Sequence, residues 1–149
     1  MGDLAAYAGM FWSAFLAATV LPGASEVLLV ALLVSGTGEP WIVLGTATIG
    51  NTLGSVANWA CGRFLARYRD RRWFPVSAVQ LDRFSGLFRR YGMASLLFAW
   101  APIVGDALTV IAGTLRVPLV PFTLLVGIGK LGRYLVVAGG ALALATAGA

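Results

Sequence analysis

Histidine is absent from this chain, and cysteine occurs once, as Cys61. The first absence removes Ser-His and Cys-His nucleophile pairs and histidine–metal chemistry. The second removes any internal disulfide. With no Cys/His cluster either, neither a metal nor a cofactor is expected. Charge is scarce as well. Only 11% of the residues are charged and 59% are hydrophobic, whereas a soluble domain carries about 25% charged residues. The mean hydropathy of +0.86 points the same way. What remains is a single membrane domain over residues 1–149. The opening Met1-Gly-Asp3 has no basic stretch, so no cleaved leader is expected. Ala6 stands where myristoylation needs Ser or Thr, which argues against that modification.

The charge that is present is unevenly placed. Of the eleven basic residues, eight lie between Arg63 and Arg90: Arg63, Arg67, Arg69, Arg71, Arg72, Arg83, Arg89 and Arg90. Only Asp70 and Asp82 oppose them in that stretch. A basic loop between apolar spans follows the positive-inside rule and is expected in the cytoplasm. No nucleic-acid partner is expected. The loop suits anionic headgroups, to which each near-surface basic residue contributes about 1 kcal/mol.

Residues 4–36 are apolar except for Glu26 and are broken at Pro22-Gly23. Two full crossings of about 20 residues each would not fit in that length, so a re-entrant hairpin is expected. Ser25 is expected to cap the second arm, with Glu26 in its first turn. Glu39-Pro40 marks the return to water, and Trp41 suits the interface. Residues 41–62 then read as a full span containing Asn51, Asn58 and a Gly50-x-x-x-Gly54 packing face. In the basic linker, Ser77-Ala-Val-Gln80 reads as a capping box opening a short helix. Leu81, Phe84, Leu87, Phe88 and Tyr91 fall near one face of it. An interfacial amphipathic helix and a helix folded against the bundle fit that pattern equally. Residues 92–116 form a second broken segment, and 119–142 a last span that holds Lys130 and Arg133.

The two broken segments share their punctuation. Pro22 precedes Glu26 by four residues, and Pro102 precedes Asp106 by four, at an offset of 80. Ile49-Gly-Asn51 is echoed by Ile128-Gly-Lys130 at an offset of 79. Pro22, Gly23, Pro102 and Gly105 are the expected hairpin breaks. The expected fold is an all-α integral membrane protein, an inverted repeat of a re-entrant helical hairpin plus a transmembrane helix. Repeat 1 covers about 4–62, the basic cytoplasmic amphipathic linker 63–91, and repeat 2 about 92–142. Both termini are then expected outside. Such paired, interrupted segments point to a transporter-type binding site.

Four ionisable groups fall within the apolar regions: Glu26, Asp106, Lys130 and Arg133. Each charge costs about 2.5–3.5 kcal/mol at a span centre, so they must pair, neutralise or face water. Lys130 and Arg133 share one helical face. The functional reading is a pocket in which Glu26 or Asp106 exchanges protons, Arg133 grips an anionic group, and Asn51 orients substrate or a carboxylate. The rival reading is a salt-bridge lattice that only holds the hairpin tips. Gly127-Ile-Gly129-Lys-Leu-Gly132 spells a dinucleotide fingerprint but lies inside a long apolar span, with no strand before it, and is dismissed. With no credible nucleophile–base pair, the chain is not expected to be an enzyme.

Several of these stretches together resemble the DedA family of bacterial inner-membrane proteins, in the VTT-domain (SNARE-associated) superfamily. They are Leu21-Pro-Gly-Ala-Ser-Glu-Val27, Gly50-Asn51, Gly62-Arg-Phe64, Arg90-Tyr-Gly92, Trp100-Ala-Pro-Ile-Val-Gly-Asp106, Ala112-Gly113 and Gly129-Lys-Leu-Gly-Arg-Tyr134. The likeness covers residues 12–140 and is nearest to the short YqaA-like branch. It implies a plasma-membrane protein with two re-entrant hairpins, acting in envelope homeostasis and transport driven by the proton motive force. Some members move undecaprenyl phosphate or phospholipids between leaflets. Glu26 matches the family's acid after the first Pro-Gly break, and Gly62-Arg63 its Gly-Arg pair. The chain departs where larger members place two arginines around the second proline, having Ala99 and Gly105 there. Lys130 and Arg133 are expected to replace that charge. The partners implied are the lipid bilayer and an anionic lipid or other anionic small molecule. A homodimer could supply the packing of the terminal spans found in longer members. The alternatives to transport are a non-transporting scaffold acting through partners and, last, an intramembrane lipid-phosphate enzyme.

Overall fold

The computed structural model describes residues 2–19, 23–68, 71–73, 75–102 and 104–147. Among them all regular structure is helical. The elements are α1 (Gly2–Ala17), α2 (Ala24–Ser35), α3 (Pro40–Leu65), a short 3₁₀ turn (Ala66–Tyr68), α4 (Ala78–Tyr91), a 3₁₀ helix (Gly92–Trp100), α5 (Val104–Thr114) and α6 (Leu119–Ala147).

Local chemistry explains most of the boundaries. Gly23, at φ 95°, is the N-cap of α2, and Gly36, at φ 66°, ends that helix. α3 opens on Pro40, whose missing N–H costs nothing at a first helical position. The capping box of α4 forms as expected: Gln80 N donates to Ser77 Oγ (3.3 Å) and Ser77 N to Gln80 Oε1 (3.1 Å). Pro118 precedes the start of α6, and Pro121 is tolerated in its first turn.

The break in the first apolar segment therefore falls where the sequence puts it, although Pro22 itself lies outside the described residues. Ser25 does not cap α2. No side chain caps that helix, and Ser25 is buried one residue inside it. The second segment is also broken, at the turn containing Pro102, but its first arm is 3₁₀ rather than α. Nine residues is long for a 3₁₀ run.

The second arms of the two segments end alike. Gly36 N donates to Leu33 O and Thr37 N to Leu32 O; 80 residues on, Arg116 N donates to Gly113 O and Val117 N to Ala112 O. These are the two bonds of a Schellman turn. Gly36 takes the left-handed position in the first, and Arg116, at φ 58°, takes it in the second.

The chain packs as two compact units, Met1–Gly54 with Lys130–Ala149, and Ser55–Gly129. The first unit holds α1, α2, the first half of α3 and most of α6. Its core is Met10, Ala14, Leu29, Val43, Leu44, Ala47, Tyr134 and Ala138. Gly50 and Gly54 lie against the Phe11 and Phe15 carbonyls, where an added Cβ would collide. The second unit holds the end of α3, the basic linker with α4, the 3₁₀ helix, α5 and the start of α6. Its core includes Trp59, Leu96, Leu108, Ile111, Phe122 and Val126. Gly62 faces the Val110 carbonyl and Gly113 the Trp59 carbonyl, so α3 and α5 meet backbone to backbone.

Phe88 is buried, and Leu81, Phe84 and Leu87 pack on the same core. Of the two readings of α4, the structure takes the helix folded against its unit. Tyr91 leaves the apolar face and is exposed.

One helix among the described residues, Leu119–Ala147, is both long and apolar enough to cross a membrane. α3 has the length, with 26 residues. Its three threonines, two asparagines and one serine lower its hydropathy, and Asn51, Thr52 and Ser55 are turned to the interior. Large apolar side chains stand outward: Trp41, Val120, Val136 and Leu144 are each at least 70% exposed. Water would oppose such a surface and lipid would not.

Candidate functional site

The first turn of α2 carries Ser25 and Glu26, and the middle of α6 carries Lys130, Arg133 and Tyr134 at the i, i+3, i+4 spacing of one helical face. The two faces meet within the first unit. The Arg133 guanidinium forms an ion pair with the Glu26 carboxylate. The Glu26 side chain is 16% exposed, but that exposure falls on its methylenes, because both carboxylate oxygens are shut off from solvent. Neither oxygen accepts a hydrogen bond among the described residues. Arg133 therefore supplies the charge that makes an ionised Glu26 tolerable there.

A neutral chain of hydrogen bonds runs beside the pair. Asn51 Nδ2 donates to Tyr134 Oη at 2.7 Å, and Tyr134 Oη donates to Ser25 Oγ at 2.9 Å. Ser25 and Tyr134 are 0% exposed and Asn51 2%. Lys130 belongs to the same unit and is likewise buried, at 2%. Thr52 Oγ1 is buried with no hydrogen-bond partner among the described residues.

Of the expected site residues, Glu26, Arg133, Asn51 and Lys130 thus fall in one unit. Glu26 is brought onto Arg133, and Asn51 onto the tyrosine that follows Arg133. Asp106 belongs to the second unit, half-buried in the first turn of α5, where its carbonyl accepts from Thr109 Oγ1 at 2.7 Å. The break residues there are placed by backbone contacts. Pro102 O accepts from Val104 N, and Gly105 packs on the Ala99 carbonyl. Asn58 Nδ2 donates to Thr109 Oγ1 at 3.4 Å.

The basic residues lie at the surface. Arg63, Arg67, Arg71 and Arg72 are exposed, and Arg69 lies outside the described residues. Arg63 sits 5.4 Å over the Trp59 ring and Arg67 4.8 Å over that of Tyr68.

Sequence reasoning missed Ser25 and Tyr134 as members of the site. One signal was available. Tyr134 lies four residues after Lys130 on the face expected to be polar and buried, and a buried tyrosine hydroxyl requires a partner.

Comparison with known proteins places the chain in a class. The VTT domain matches residues 21–141, and the chain belongs to the VTT-domain family. It is 41% identical over 138 residues to "Inner membrane protein YqaA" of Escherichia coli (strain K12), covering 93% of this chain and 92% of that protein. The protein of the same name from Shigella flexneri matches to the same extent. An uncharacterized protein of Haemophilus influenzae is 39% identical over 137 residues, 84% of this chain and 80% of that one. The resemblance to the DedA family and its YqaA-like branch agrees with these matches. No solved structure matches the chain.

Proposed function

We propose that this protein is a multi-pass protein of the bacterial inner membrane that moves an anionic lipid or another phosphate-bearing small molecule together with protons. Its frame is an inverted repeat of two re-entrant hairpins. The lengths of the arms support this. α1, α2 and α5 have 16, 12 and 11 residues, or roughly 24, 18 and 17 Å at 1.5 Å per residue, against a hydrocarbon core of about 30 Å. The identical turns ending α2 and α5 support the repeat. The basic stretch 63–90 faces the cytoplasm in this reading, with both termini outside. The relatives named as inner membrane proteins support the location.

The observation that carries the mechanism is the shielded Glu26–Arg133 pair beside a helix break. An unpaired charge at that depth costs about 2.5–3.5 kcal/mol. Exchanging one anionic partner for another on Arg133 avoids most of that cost. Protonation of Glu26 cancels the carboxylate charge and leaves the planar guanidinium fork to take a phosphate. Departure of the phosphate lets Glu26 lose its proton and re-pair. Substrate and proton movements are thereby linked without any covalent step. Lys130 adds positive charge to the same pocket, Asp106 offers a second proton site, and Asn51 orients the groups around Arg133.

The test is translocation of a fluorescent phosphate-headgroup lipid in proteoliposomes under an imposed pH gradient. Wild type should translocate faster with the gradient. Glu26→Gln and Arg133→Ala should lose that dependence, Arg133→Lys should keep part of it, and Asp106→Asn should weaken it. Gradient-dependent translocation undiminished in the Glu26, Arg133 and Asp106 variants would remove the mechanism.

A further inference from the structure

The start of α2 is not fixed by its own sequence. Its N-cap is a glycine in the left-handed region, with no side-chain cap. Ser25, the residue suited to capping, is engaged across the unit instead. Two consecutive residues of α2 thus meet two consecutive residues of α6. Ser25 meets Tyr134 through a neutral hydrogen bond, and Glu26 meets Arg133 through charge.

We propose that Tyr134 is a positioning residue: through Ser25 it holds the start of α2 in register against α6, so that the Glu26 carboxyl stays beside Arg133 whether or not it carries a proton.

Three observations build this. Asn51 presents an N–H to the phenol oxygen, and an N–H only donates, so the single phenol hydrogen is directed to Ser25. All three groups are shielded from water, where a lost hydrogen bond cannot be replaced by solvent. The ring of Tyr134 also packs with Met10, Leu29 and Val43, so it remains seated if the hydroxyl alone is removed. The ionic link weakens each time Glu26 is protonated, whereas the Ser25–Tyr134 link does not depend on that charge. The consequence for transport rests on the function proposed above; the positioning itself does not.

The test is chemical labelling of Glu26 in the purified full chain in nanodiscs. A hydrophobic carbodiimide captures a protonated carboxyl within the membrane, and mass spectrometry of the Glu26 peptide reads the initial rate at neutral pH. In wild type Arg133 holds the carboxylate and labelling is slow. Tyr134→Phe and Ser25→Ala should each raise the rate about two- to tenfold, the range one net hydrogen bond supports. The double variant should label no faster than either single one. Asn51→Ala should raise the rate less. A merely structural role for Tyr134 would lower the thermal midpoint and leave labelling unchanged, and that result overturns the inference. So do single-variant effects that multiply in the double variant. If Tyr134→Phe does not fold, Ser25→Ala and Asn51→Ala decide the matter. Lipid movement is not read here, so absence of transport by wild type strikes the proposed function alone, and unchanged labelling strikes this inference alone.

Discussion

The two units are assembled from corresponding parts: one broken segment, one half of α3 and one portion of α6 each. They fill their interiors differently. The first encloses Ser25, Asn51, Lys130 and Tyr134 and shields the Glu26–Arg133 pair. The second closes over Leu96, Leu108, Ile111, Phe122 and Val126, sealed on one side by the apolar face of α4. Their loops are fastened differently too. After α2, Glu39 N donates to the Tyr7 hydroxyl at 2.8 Å; after α5, the Trp59 indole donates to Val117 O at 3.0 Å. The first interior thus includes an ion pair, and the second a larger apolar cluster beside the buried hydroxyls of Ser55, Ser95 and Thr109.

The largest expected effect separates the ionic interior from the basic surface. Arg133→Ala leaves the buried Glu26 carboxylate without its counter-charge and should destabilise the protein by about 3–5 kcal/mol. Adding Glu26→Gln to that variant should recover much of the thermal midpoint lost in detergent. Arg63→Ala, at an exposed cation–π contact, should cost at most about 0.5 kcal/mol. Equal losses for the two arginines would erase the distinction between ionic interior and basic surface.

Close helix contact comes next. Gly113→Val in the second unit and Gly50→Val in the first each drive a side chain into a backbone carbonyl. Each should cost about 1–3 kcal/mol or more, because a backbone cannot rotate away as a side chain does. Gly132→Val meets nothing within 4 Å and serves as the neutral control. Proteolysis of the purified variants, read by mass spectrometry, would report which unit opens.

The loop fasteners should matter less. Tyr7→Phe removes one hydrogen bond and should lower stability by about 1 kcal/mol. Trp59→Phe removes the bond to Val117 and also shrinks a core side chain, so it should cost more than Tyr7→Phe. Equal losses would show that the indole contributes nothing beyond that bond. Smallest of all are the two turn positions. Arg116→Gly should stabilise the second turn by up to about 1 kcal/mol, and Gly36→Ala should destabilise the first by about as much. Thermal melts of the pair would show whether the turns are equivalent in energy as well as in geometry.

The sequence carried the local half of this picture. Pro-Gly punctuation located the first break, Ser77 and Gln80 located the start of α4, and the spacing of Lys130 and Arg133 put both on one face. Each of these is decided within a few residues by backbone chemistry. What was not legible depends on distant partners. Ser25 has the chemistry of a cap, and only the position of Tyr134, 109 residues on, engages it elsewhere. The apolar face of α4 suits lipid and protein equally until the core it covers is known. The Arg116 turn was hidden because its residue is not glycine, although Gly36 marked the equivalent position 80 residues earlier. The division of α3 and α6 between two units cannot be read from helices whose patterns are continuous.

The most direct measurement is proton movement into proteoliposomes loaded with a pH-sensitive dye when a short-chain lipid phosphate is added outside. Wild type should change the internal pH as the anion is taken up, and Glu26→Gln should not. A Glu26→Gln protein that moved protons at the wild-type rate would contradict the account.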